Sequence, residues 1–303
     1  MATSKTGLSV EEIVSRMTSM DSLDGWGVLV AYNENSLDKL LEARHNALPE
    51  NMTKIPSLEV PVPDSTDPSL KIKYRDLTLQ TPVLKLKASS GLVQLLFSLG
   101  GYYTEPGQPE SMFEDGLFLE AEGRLVNVAG QSGSVSLFGT VQSLENSGES
   151  KCDVAIDLTS PLVQILDKDK NPVFSLGNVA TTLTNQISSI GLQYRLATVQ
   201  KDTAGVATKA GSQIILKPTK FVMTTVESND SAPGALLVWM AVEGIQSTGR
   251  IPSESSPLIF SRQGDNDITN ASPISKDSTA SIVISREVFT SLFIEAGLPH
   301  SRP

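Results

Sequence analysis

"GWGVLVAYNENSLDKLLEARHNAL", residues Gly25–Leu48, changes its periodicity at the centre. Trp26 to Tyr32 is an almost unbroken apolar run and reads as a buried strand. Asn33 or Asn35 then offers a side-chain oxygen to the first free amides of a helix. Leu37, Leu40, Leu41, Arg44 and Leu48 fall on one stripe at helical spacing, and Pro49 stops the run. A strand therefore passes into an amphipathic helix with no spacer.

The same change recurs in "ASIVISREVFTSLFIEAG", Ala280–Gly297. When Asn33 is set on Ser285, Leu37 falls on Phe289, Leu40 on Leu292 and Leu41 on Phe293. Two unrelated core helices would share such spacing, because apolar stripes repeat at three and four in any helix packed on a core. The shared tight strand-to-cap junction narrows the lead of that reading and keeps a repeated unit open.

Between these units the chain reads as β-structure. Leu70, Ile72 and Tyr74 alternate with cations, as do Leu84 and Leu86, and Val154, Ile156 and Leu158 alternate with Asp153, Ala155 and Asp157. Period-two alternation buries one face and wets the other, the habit of antiparallel sheets. Leu92 to Leu99 is denser, as expected of a strand buried on both faces or facing a cavity. The proline-rich stretch Ile55–Pro68 is neither a helix nor a central strand, and is expected as a loop or extended crossover. Asn178 to Ile190 has helical spacing in spite of its Thr and Ser content. Near the N-terminus, Ser9 and Glu12 make a capping box ahead of Val10, Ile13, Val14 and Met17, which share one helical face. The predicted class is α+β, mainly antiparallel β, with strand–helix units near both termini.

Charge and cysteine usage narrow the partners. The 303 residues carry a formal charge of −10, which argues against general nucleic-acid binding, since that needs a basic footprint. Cys152 is the single cysteine, so no internal disulfide forms. No apolar stretch is long enough to span a membrane, and "MATSKTGLSVEEIVSRM" lacks the apolar core of a secretory signal. The expected setting is cytoplasmic.

Three stretches resemble one family. "GWGVLVAYNENSLDKLLE" is similar to the opening motif of the OrfX and forty-seven-kilodalton proteins of clostridial neurotoxin gene clusters. "IILKPTKFVMTTVE" with "GALLVWMAV", and "SIVISREVFTSLFI", resemble that family's later strand pair and its later strand–helix unit, in the family's order. The resemblance implies the tubular lipid-binding (TULIP) architecture, a highly curved antiparallel sheet wrapped around amphipathic helices. It also implies an apolar groove suited to lipids and a setting in a toxin-associated assembly. On this reading residues 1–20 are an N-terminal amphipathic segment, 21–298 a single elongated TULIP-like domain and 299–303 a disordered tail.

Chemistry is scarce. His45 and His300 are the only histidines, so a multi-histidine metal site and an H-E-x-x-H motif are excluded. His45 lies at the edge of the apolar stripe with no partner acid in view, and is expected to be structural. Cys152 opens an alternating strand and is expected to be a structural thiol. Asp167, Asp169 and Asn171 start like a calcium loop, but Pro172 and Asn178 stand where glycine and glutamate are required, which leaves a turn. No P-loop or dinucleotide fingerprint is present, and no cofactor is expected.

The expected function is non-enzymatic binding of a hydrophobic small molecule or lipid, with a protein partner in an assembly. The candidate ligand-binding residues are Leu37, Leu40, Leu41, Phe289, Leu292 and Phe293. The alternative is an enzyme using the same cavity, an isomerase or cyclase of an apolar molecule, for which no catalytic residue is named.

Overall fold

A computed structural model of the chain describes residues 9–17, 23–62, 65–87, 91–113, 116–129, 135–137, 141–144, 151–173, 177–200, 216–227, 233–250, 273–275 and 277–294. The tail 299–303 and most of residues 1–20 before Ser9 lie outside these, and at Leu292 and Phe293 only the backbone is described.

The elements are α1 (Val10–Met17), β1 (Val28–Asn33), α2 (Glu34–Asn46), α3 (Glu50–Thr53), β2 (Lys54–Pro61), β3 (Lys71–Leu79), β4 (Val83–Leu86), β5 (Leu92–Thr104), β6 (Ser111–Met112), β7 (Phe118–Ala129) and β8 (Val135–Leu137). They continue with β9 (Gln142–Ser143), β10 (Lys151–Leu166), α4 (Gly177–Ile190), β11 (Gln193–Gln200), β12 (Pro218–Val226), β13 (Ala235–Val242), β14 (Ala280–Ile284) and α5 (Arg286–Val288). A wider π-type turn, Phe289–Ile294, follows α5. The fold is α+β and mainly antiparallel, with a strand–helix unit near each end.

Among the described residues the strands form two antiparallel sheets. The smaller has the order β14-β1-β13-β12-β9. The larger runs β11-β10-β7-β5-β3-β2, with β4 continuing the line of β3 along β5. The proline-rich stretch supplies β2, paired with β3 at the end of that order, where missing amide donors do least harm. β5 shows the alternation of a strand with one interior face: Val93, Leu95 and Phe97 are fully buried, and Leu92, Gln94 and Leu96 are half-buried.

The large sheet curls tightly. His45, in the last turn of α2, contacts Tyr194 Oη on β11 through Nδ1 and the Leu79 carbonyl at the end of β3 through Nε2, each at 2.9 Å. β11 and β3 stand four strand spacings apart, about 19 Å or more in a flat sheet. One imidazole reaches both only if the sheet wraps around the helix. α4 likewise packs against both β10 and β2, again four spacings apart. This is the TULIP-like layout expected, a curved sheet around amphipathic helices.

The helices fill that trough. Leu37 and Leu41 from α2, and Val179, Ala180, Leu183 and Ile187 from α4, join the main core with the inner face of the large sheet. Phe221, Met223, Leu236 and Val238 bring one face of the small sheet into the same core. Fully burying a leucine is worth roughly 2 kcal/mol, so the α2 stripe outweighs the helix's modest propensity. In α4, Thr182 and Thr184 direct their hydroxyls to the carbonyls four residues back, which keeps a hydroxyl-rich helix satisfied. The outer face of the small sheet carries a second core around Trp26, Leu29, Val222 and Trp239.

A carboxylate joins the sheets. Glu34, buried in the first turn of α2, accepts Leu86 N at 2.8 Å through Oε1 and Gly234 N at 3.2 Å through Oε2. Asp38, one turn on, accepts Leu84 N at 2.7 Å. Both amides lie on the edge of β4, so α2 caps a strand edge with side-chain oxygens. A Cβ on Gly234 would stand 2.5 Å from Glu34 Oε1 and 2.9 Å from the Val226 carbonyl, so glycine is the residue that fits.

Candidate functional site

The two strand–helix units meet in the small sheet. β14 pairs antiparallel with β1, Val28 opposite Ile284 and Tyr32 opposite Ala280. Asn33 caps α2 by accepting Ser36 N at 2.9 Å, and Ser285 caps α5 by accepting Val288 N at 3.2 Å. The caps are equivalent, but antiparallel pairing sends the helices off opposite ends of the strand pair. Leu37 and Leu41 are buried in the main core and Leu40 packs against it half-buried. Phe289 belongs to the other end: it is 49% exposed, beside Val288, which is buried with Val28 and Val242. The structure brings Leu37, Leu40 and Leu41 together and does not bring Phe289 to them.

Three titratable groups are shifted by burial at the α2 seat. Burial pushes the His45 imidazole below its ordinary pKa, partly offset by the bond to the Leu79 carbonyl. Burial pushes the Tyr194 phenol up. It also raises Asp38, against the lowering effect of the Leu84 amide. A carbonyl only accepts, so Nε2 of His45 bears the proton and Nδ1 accepts from the Tyr194 hydroxyl. Both ring nitrogens of His45 are thus engaged, as is the Tyr194 hydroxyl. His45 and the thiol of Cys152 are both buried, and His45 ties α2 to β11 and β3.

An open site lies on the opposite side of the small sheet. Ser9 and Glu12 close the expected capping box, with Ser9 N to Glu12 Oε2 at 2.7 Å and Glu12 N to Ser9 Oγ at 3.2 Å. The apolar face so fixed is only partly used. Ile13 is buried against the outer core, and Val10 and Val14 remain 57% and 52% exposed. Across from them runs β14, which among the described residues pairs on one side only. The bonds Asn33 N to Thr279 O and Ser285 N to Gly27 O turn the odd-numbered backbone groups toward β1. Those of Ala280, Ile282 and Ile284 therefore point out from the sheet. Ile282 is 64% exposed.

Between α1 and β14 opens a groove of about 350 Å³. Val10, Ile13, Val14 and Met17 form one wall and Ile282, Val283 and Ile284 the other. Ser275, Ser278 and Ser281 add hydroxyls. Ser275 and Ser278 bond each other at 2.8 Å, but Ser281 Oγ is shut off from solvent with no hydrogen-bond partner. The Val10–Met17 stripe was legible as an amphipathic face. Its pairing with a strand some 270 residues later was not, because nothing local marks β14 as an edge. "ASIVI" carries no charge or proline of the kind that usually guards an exposed edge, so it reads as an interior strand.

Among the described residues no cluster of His, Cys, Asp or Glu could hold a metal ion. The Asp167 carboxylate is engaged by Asp169 N and Asn171 N, forming the turn that its motif predicts. No helix among the described residues is long and apolar enough to cross a membrane.

No family model and no curated protein matches the chain. Solved structures do. P47 of Clostridium botulinum is similar to this chain. The A2 protein matches at 12% identity and a TM-score of 0.46, and the E1 protein at 11% and 0.49. Each match covers 88% of this chain and 53% of the P47 chain, so this chain spans about half the length of P47. A lipopolysaccharide binding protein matches at 12% identity and a TM-score of 0.26, over 91% of this chain and 62% of that one.

Proposed function

We propose that this protein is a non-enzymatic binding module for an apolar small molecule or lipid. The observation that carries the proposal is the groove between α1 and β14, an opening of about 350 Å³ with Val10 and Val14 exposed on its α1 wall. That volume is at the small end of ligand sites. At roughly 30 Å³ per water-sized group it holds about a dozen non-hydrogen atoms. With about 0.4 kcal/mol per atom the affinity is roughly 5 kcal/mol, a Kd on the order of 0.2 mM.

The proposal has two further parts. Residues 21–298 act as one TULIP-like unit, and Leu37, Leu40, Leu41, Phe289, Leu292 and Phe293 offer apolar surface to a larger ligand once α2 or the C-terminal turn is displaced. A toxin-type assembly with a protein partner is the wider setting, motivated by the three motifs that resemble the clostridial family.

The test is a titration of the whole chain with the fluorophore 1-naphthol, whose size matches the groove, in wild type, Val10→Asp and Val14→Asp. Binding weakened at least tenfold by each variant is expected, because a buried carboxylate opposes an apolar ligand. Equal binding by all three, or none by wild type, refutes the groove as the site.

A further inference from the structure

The outward backbone groups of β14 form a pattern that another copy of the same strand matches. Ala280, Ile282 and Ile284 turn their amides and carbonyls away from β1, at the first, third and fifth positions of a five-residue strand. Such a row is symmetric about Ile282. Laid antiparallel on itself with Ile282 opposite Ile282, it sets Ala280 opposite Ile284 at both ends. All three pairs are then of the kind that exchange two N–H···O bonds. A shift of two residues loses one of these pairs, and a shift of one sets outward groups against inward ones.

The side chains suit the same register. Ile282 and Ile284 stand beside Val30 and Val28 of β1, on the face turned from the outer core. Ile282, 64% exposed, meets its own counterpart across the two-fold axis. Ala280, also exposed, leaves room beside the larger Ile284 of the second copy. The strand has neither the charges nor the prolines that keep natural edges from pairing.

Charge distinguishes a second copy from an arbitrary strand. From Ser278 to Ser285 the chain carries no charge. Asp277 stands exposed before this stretch, and Arg286 and Glu287 stand exposed after it. Among the described residues neither Asp277 nor Arg286 makes an ion pair. In the antiparallel register Arg286 of one copy falls opposite Ser278 of the other, next to Asp277, and the two-fold axis repeats this at the far end. Glu287 falls opposite Asp277, so each end depends on an Arg286 cation between two carboxylates. Parallel pairing would set Asp277 on Asp277 and Arg286 on Arg286.

We propose that β14 is the contact of a two-fold homodimer. The second copy's β14 extends the small sheet antiparallel, Ile282 on Ile282, with Arg286 of each copy beside Asp277 of the other. An isologous contact of this kind closes on itself and gives dimers, not fibres. The proposal does not depend on a ligand in the groove.

The experiment is sedimentation equilibrium of the full chain from about 5 to about 200 µM, the range of a small reversible interface. Amide hydrogen exchange is read by mass spectrometry at both ends of that range. The expected result is a weight-average mass that rises from that of one chain towards that of two. The peptide holding residues 280–284 exchanges more slowly at the higher concentration. Ile282→Lys sets two cations together on the axis and weakens association at least about twentyfold, at a site exposed enough to leave the fold intact. Arg286→Glu weakens it about five- to tenfold, and adding Asp277→Arg to that variant restores most of the loss.

A chain that stays monomeric at the highest concentration overturns the proposal in favour of a strand from another protein. A dimer that Ile282→Lys leaves intact, or that does not slow exchange in residues 280–284, overturns β14 as the contact. Arg286→Glu without effect, or a loss that Asp277→Arg deepens, overturns the antiparallel register.

Discussion

Acid should loosen this fold through His45 before it titrates the carboxylates. The imidazole is buried, donates its Nε2–H to the Leu79 carbonyl and accepts the Tyr194 hydroxyl hydrogen bond at Nδ1, so the neutral tautomer satisfies both partners. Protonation puts a hydrogen on Nδ1 facing a hydroxyl that is already donating there, and it places a cation among Phe97, Tyr194 and the core. The folded pKa accordingly lies below 6.5, with desolvation as the leading cause.

The sign follows from linkage. Above about pH 6.5 both states hold neutral imidazole and the stabilisation is complete. Between that value and the lower folded pKa, the unfolded chain takes up the proton first. Stability then falls with falling pH at up to about 1.4 kcal/mol per unit. That slope is large against a typical total of about 5–15 kcal/mol. The assay is urea unfolding of wild type and His45→Gln at pH 8, 7, 6 and 5, with carboxylate titration common to both chains. At pH 8 the variant should be about 1–3 kcal/mol less stable, because the Tyr194 hydroxyl loses its acceptor. Below pH 6.5 the gap should close as only wild type loses the His45 contribution. A gap constant to within about 0.3 kcal/mol from pH 8 to 5 refutes the assignment.

Other perturbations test the frame around the sites. Glu34→Ala strips the acceptor from two amides at once, and should cost roughly 2–5 kcal/mol in the same urea assay. Gly234→Ala presses a methyl onto the Glu34 carboxylate and the Val226 carbonyl, with an expected loss of about 1–3 kcal/mol by thermal or urea unfolding. Asn127 has both amide atoms buried with no partner, so Asn127→Leu should be neutral or raise stability by about 1 kcal/mol, and a clear loss would show that the amide is satisfied in solution. Asn33→Ala removes the oxygen that accepts Ser36 N and should cost about 1 kcal/mol, measured as reduced helical protection of α2 in hydrogen exchange.

Local patterns in the sequence determined a good deal. The capping boxes, the Asn33 and Ser285 caps, the period-two strands and the stripes of α1, α2 and α4 depend on contacts within four residues or on burial of a single face. A reader of the chain sees these directly. The antiparallel class and the strand–helix units near both ends follow from them.

Only the tertiary structure decided which stripes face an opening and which face a core. Antiparallel pairing of β14 with β1 separates Phe289 from Leu37, although the two align in sequence. His45 reaches Tyr194 across 149 residues, and Glu34 reaches Gly234 across 200. Such partners leave no periodic trace, because their spacing is set by the curl of the sheet and the length of the loops. The groove beside α1 is of this kind. Its apolar helix face could be read from eight residues, but its status as a site depends on a strand some 270 residues later that, among the described residues, pairs on one side only.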